Sequence, residues 1–271
     1  MVSYLTEELV RQGHQVTLFA SGDSVTKARL VPACPRSLRL DTGCQNQISH
    51  HLVMLEQVFR RAAEFDIIHF HVDYMHYSLN RREPITHVTT LHGRLDIPDL
   101  VPLYREFQDI PVISISDGQR EPLPWANWQA TVHHGLPGEM YRFREKLGSY
   151  LAFWGAFRRR NASIAPSKSP EKSGCRSKLP RRLIEAMACG TPVVAYRDGA
   201  VPEVMKEGHT GFVVEGLEDA VEAVRRVPQL SRRRCREVFE KRFTATRMAQ
   251  DYVQVFKRLI KRNEEKIPEA A

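Results

Sequence analysis

One pattern recurs along this chain and leaves few folds open: a short apolar run, a helical stretch, then another apolar run. In the first half the runs are "QVTLFA", "FDIIHF", "THVTTL", "PVISIS" and "QATVHH". Runs of this kind read as strands buried on both faces, and helices placed between them supply the crossovers that parallel pairing requires. The prediction is an α/β chain with parallel sheets and helices on both faces. Val2, Leu5 and Leu9 are spaced for one face of a first helix that ends at Gly13. Further helices are predicted from about Ser49 to Glu64 and from Leu100 to Phe107.

After "SYLAFW" the second half resumes with the helix "RRLIEAMA", the strand "TPVVAY", the short helix "AVPEVMK", the strand "GFVV" and helices to about Arg262. Two domains are expected, at 1–145 and 146–271. The chain opens on a helix, as if on the second half of a strand-helix-strand unit. The expectation is therefore an N-terminal domain lacking its first strand.

With 42% hydrophobic residues the 271-residue chain can bury a substantial core. Its formal charge of +8 points first to an anionic partner. The charge is localised, however: residues 156–182 hold nine basic residues against one acid, Glu171, and so account for all of it. That segment has the composition of a disordered stretch and a single aromatic residue, Phe157, rather than aromatics interleaved for base stacking, so a nucleic-acid-binding arm is the weaker reading. Five cysteines without a C-x-x-C pair indicate neither a zinc site nor a disulfide framework. No apolar run approaches the roughly 20 residues that span a bilayer. The expected location is cytoplasmic, without a membrane span, with peripheral membrane association left open.

In parallel sheets ligands gather at the carboxyl ends of the strands. His69 and His71, His92 and Gly93, Ser116 and Asp117, and His133 and His134 all fall there. His92 follows a strand and precedes a glycine, so its imidazole can face a ligand at a close backbone approach. In "HFHVDYMHY" the residues His69, His71, Asp73 and His76 superficially form a metal set. This reading places His69 and His71 on opposite faces of their strand, which argues against joint ligation, and no metal is expected. Glu185 lies near the end of a short helix that Gly190 terminates before a buried strand. Gly199 precedes a helix N-terminus that could cradle a phosphate.

Taken together, "SYLTEELVRQGHQVTLFASGDS", "FDIIHFH", "TTLHG", "SISDGQR", "ATVHHGLP" and "IEAMACGTPVVAYRDGAVPEVMKEGHTGFVV" resemble the retaining glycosyltransferases of family four. The resemblance implies a GT-B fold of two Rossmann-like domains with parallel sheets, the second incomplete here. It implies sugar transfer from a nucleotide diphosphate donor, a UDP- or GDP-sugar used as substrate with no cofactor, to an acceptor the sequence does not name. His92 becomes the histidine beside the transferred sugar, Glu185 the residue that holds the donor ribose, and Gly93 and Gly199 donor-binding positions. A relative without activity, binding sugar or nucleotide only, is the alternative.

The chain departs from the family pattern where its basic diphosphate ligands should lie. In place of a "GRxxxEK"-like loop it reads "GAFRRRN". Back-translating "AFRRRNASIAPSKSP" with one added base and regrouping the triplets gives "RISPEKRLDRAIEIA", which restores a helical apolar period. It would put an Arg in place of Ala156 and a Lys in place of Asn161. The expectation is that residues from about Ala156 to Pro180 are translated in a shifted frame, and that a further stretch is deleted before Leu183. The apolar faces of "SYLAFW", "TPVVAY" and "GFVV" would then be poorly covered.

Overall fold

The computed structural model describes residues 1–83, 85–146 and 179–265. Elements in chain order are α1 (Val2–Arg11), β1 (Thr17–Ser21), β2 (Arg29–Cys34), α2 (Gln47–Phe59), β3 (Ile68–Phe70), α3 (Tyr77–Asn80), β4 (His87–Thr90), α4 (Leu100–Glu106), β5 (Val112–Ser114) and β6 (Trp128–Thr131). They continue with α5 (Leu179–Ala188), β7 (Val193–Tyr196), α6 (Val201–Val204), β8 (Gly211–Val214), α7 (Leu217–Arg226), α8 (Arg232–Arg242) and α9 (Ala245–Glu264). Among the described residues every strand pairing is parallel, in the orders β1-β2, β3-β4-β5-β6 and β7-β8. The α/β class read from the sequence is the observed one. Two compact units emerge, one formed by Met1–Ser116, Arg120–Pro137 and the segment from Ala245, the other by Asp117–Gln119 and Gly138–Thr244.

The first unit shows why the strands read as uninterrupted apolar runs. On β5, Ile113 packs into a core with Leu5 of α1, Val88 of β4, and Met248, Ala249, Tyr252 and Val255 of α9. The preceding residue, Val112, packs on the opposite face with Leu91, Tyr104, Ile110 and Leu123. Successive side chains point to opposite faces of a strand, and here both faces are covered.

β2 was not expected. Its run "RLVPAC" contains Pro32, a residue that sequence reading assigns away from central strands. α2 begins two residues earlier than expected because the Asn46 side chain caps it, accepting from the Ser49 N–H at 3.2 Å. It ends at Phe59, and Ala62–Glu64 form a separate 3-10 turn.

In the second unit α5 ends at Ala188 as its sequence implies. Gly190 lies at φ +70°, with its N–H bonded to the Met187 carbonyl at 2.8 Å and the Thr191 N–H bonded to the Ala186 carbonyl. A Cβ at Gly190 would meet the Phe143 ring at 2.6 Å and the Arg232 carbonyl at 2.9 Å. The strands that follow differ in cover. Phe212 and Val214 of β8 are buried against Ala220 and Ala223 of α7. β7, expected as a buried strand, has no fully buried residue, and Tyr196 is 40% exposed. Val194 of β7 packs against the same cluster, and α7 closes over β8. "SYLAFW" and most of the 156–182 segment lie outside the described residues, and so does the shifted-frame reading of it.

Candidate functional site

Four histidines gather at the carboxyl end of the first unit's sheet. β3 and β4 run side by side in register, His69 opposite Val88 and Phe70 opposite Thr89, so residues just past the two strands become neighbours. His71 Nδ1 lies 2.8 Å from His92 Nε2, and the rings stack at 5.1 Å with 25° between their planes. His134 approaches the other side of His92 at 5.6 Å between centroids. His69 Nε2 lies 2.7 Å from Thr90 Oγ1, whose hydroxyl donates to the Tyr252 oxygen at 3.1 Å. With that proton committed to Tyr252, the His69 ring is the donor to Thr90.

His69 and His71 lie on one face, with ring centroids 4.1 Å apart. The expectation of opposite faces is corrected by the pleat itself: residues two apart in a strand share a face. His76 is on the other side, stacked on Phe70 at 3.8 Å and bonded to Thr89 Oγ1 at 2.8 Å. Among the described residues no three His, Cys, Asp or Glu side chains converge as metal ligands.

Burial sets the charge state of this cluster. It lowers His92 to about 4 and His69 to about 3, and holds His71 well below the ordinary imidazole value. All three are neutral at physiological pH. Asp73 sits at φ +49°, an uncommon conformation for a residue with a Cβ, and the His92 backbone N–H donates to its carboxylate. Gly93 follows, and a Cβ there would meet nothing within 4 Å among the described residues, which leave space beside His92. His71, Thr90 and Tyr252 were missed as partners of this site. Residue 71 carried a signal, one step past a strand, but Tyr252 is far away in sequence and left none.

Glu185 and Gly199 belong to the second unit. The Glu185 carboxylate accepts from Arg181 Nε at 3.0 Å and Arg182 at 3.1 Å, both one turn earlier on α5, and from the Tyr141 hydroxyl at 3.4 Å. Its side chain is 18% exposed. Gly199 lies at φ +48°, ahead of α6, which is a single turn and carries a correspondingly small dipole. Glu203 of that turn accepts from the backbone N–H groups of Asp117 and Gly118 at 2.6 and 2.7 Å.

The model of "Glycosyltransferase Family 4" matches residues 1–193, and that of "Glycosyl transferases group 1" matches residues 150–242. The chain belongs to glycosyltransferase family 4. A D-inositol 3-phosphate glycosyltransferase of Streptomyces scabiei is 33% identical over 115 residues, covering 42% of this chain and 24% of that protein. The matched stretch thus spans about a quarter of that relative's length. Among solved structures, sucrose-phosphate synthase of Thermosynechococcus elongatus is 16% identical with a TM-score of 0.66, covering 96% of this chain and 93% of the other. HepE of Anabaena, solved with UDP-glucose, is 13% identical with a TM-score of 0.60, covering 94% of each chain. These likenesses establish the fold as GT-B-like, α/β with parallel sheets. No described helix is long and apolar enough to cross a membrane.

Proposed function

We propose that this family 4 member transfers a sugar from a UDP- or GDP-sugar to an acceptor, with retention of anomeric configuration, in the cytoplasm. The observation that carries the reading is His92. It is neutral, held by a neighbouring imidazole, and set at the carboxyl edge of a parallel sheet beside open space at Gly93. A neutral imidazole can donate to or accept from a sugar hydroxyl without charge repulsion or a large desolvation cost. HepE was solved with UDP-glucose, which supports a nucleotide-sugar donor. In the same reading Glu185 binds the donor ribose, Gly93 and Gly199 line the donor site, and no cofactor takes part. Negative charge developing on the leaving diphosphate would be met by fixed positive groups. The shifted-frame reading assigns these to the stretch after Gly155, and resequencing the DNA there checks it.

The test is incubation of the full chain with UDP- and GDP-sugars and measurement of free nucleotide. Release by the wild type and a large but measurable drop in His92→Ala are expected. A second reading, a binder of sugar or nucleotide without turnover, is favoured by one specific observation. Glu185 is already engaged by Arg181, Arg182 and Tyr141, so a ribose would compete with these partners for its carboxylate. Calorimetric binding of UDP or GDP without nucleotide release from any donor would select that reading.

A further inference from the structure

We propose that His71 is a positioning residue for His92, fixing which nitrogen of His92 faces a ligand; this rests on the reading of His92 as the histidine beside the transferred sugar. The geometry carries it. At 2.8 Å between His71 Nδ1 and His92 Nε2 a single proton is shared, one ring donating and the other accepting. His92 Nε2 is thereby used up. His92 Nδ1 makes no hydrogen bond among the described residues, and it is the nitrogen left to offer.

The χ2 torsion of a histidine is intrinsically broad, so a ring past a strand end needs an external restraint to hold one face forward. His71 supplies it, and is itself backed by a chain of contacts. His69 lies 4.1 Å away between ring centroids and is anchored by Thr90 and, at 4.8 and 5.3 Å between centroids, by Tyr252 and Phe256 of α9. The restraint therefore runs from the packed face of α9 through His69 and His71 to His92. Each neutral ring carries one proton, so His92 Nδ1 is protonated when His71 Nδ1 donates and bare when it accepts, and the tautomer of His92 is tied to that of His71.

Two-bond proton-nitrogen spectra of the full chain labelled with 15N-histidine read the tautomer of each ring. A single tautomer at His92 is expected in the wild type. Tautomer mixing is expected in His71→Phe, which keeps a stacked ring but has no nitrogen to bond His92 Nε2. With nucleotide release as the second readout, His71→Phe is expected to lower kcat by on the order of tenfold to a hundredfold. Its donor KM should stay within about twofold. The same change in a His92→Ala background should cost nothing more. Mixed tautomers in the wild type, an unaltered His92 spectrum in His71→Phe, or a multiplicative loss in the double variant would each overturn the proposal. If the spectra respond as stated while no donor releases nucleotide, the transferase reading fails and the positioning role stands.

Discussion

At the scale of single residues, buried neutral imidazoles couple this protein's stability to pH. The folded-state values of His69, His76 and His92 lie at about 3, 3 and 4, and that of His71 lies well below the ordinary value, all through burial. Unfolded, each would titrate near 6.5. Between those limits the unfolded chain binds protons that the folded chain refuses, so stability is full above about pH 6.5 and falls as the pH drops toward 4. Each histidine contributes a slope of up to about 1.4 kcal/mol per pH unit. Urea midpoints at pH 7, 6, 5 and 4 should decrease in that order. Tyr252→Phe removes the acceptor for the Thr90 hydroxyl while keeping the ring in the core. It should cost about 1–2 kcal/mol in denaturant unfolding, because Thr90 and its bond to His69 are buried.

Elements depend on two glycines that no other residue can replace at low cost. Gly190 closes α5 at a positive φ with Phe143 and Arg232 already in contact distance of an added methyl. Gly211, at φ +148°, opens β8 so close to Val193 of β7 that a Cβ would lie 1.7 Å from its carbonyl oxygen. Gly190→Ala should destabilise by about 1–3 kcal/mol. Gly211→Ala should cost more, because backbone rather than a movable side chain stands in the way. Hydrogen exchange read element by element should show lost protection in α5 for the first variant and in β7 and β8 for the second. β1 to β6 should remain protected in both.

At the scale of the whole molecule, the first unit is closed by the chain's last described helix. α9 brings Met248, Ala249, Tyr252 and Val255 onto the face of β4 and β5 that α1 also covers. Its ends are fastened by the Ala245 N–H to the Leu136 carbonyl at 3.0 Å and by Asn263 to Thr86 Oγ1 at 2.9 Å. Met248→Ala should cost about 2–5 kcal/mol, read from the denaturation midpoint. A chain ending at Thr244 should bind a hydrophobic dye strongly, because both the cover of Val88 and Ile113 and the anchor of His69 are removed.

The sequence by itself determined the class of fold, because apolar runs such as "PVISIS" and "THVTTL" can bury both faces only when helices cover both sides of a parallel sheet. It also determined the end of α5, since Gly190 and the strand after it are local signals, and it marked His92 and Gly93 as strand-end residues. Glu185 and Gly199 were likewise legible as positions, but not the arginines and tyrosine that hold the Glu185 carboxylate. β2 escaped because Pro32 within its run imitates a loop. Only the tertiary structure decided that α9 completes the first unit and that His71 is hydrogen-bonded to His92. Hydrophobic period and turn chemistry are encoded over a few residues, whereas the pairing of His69 with Thr90 and Tyr252 depends on strand register and on a helix returning from the far end of the chain.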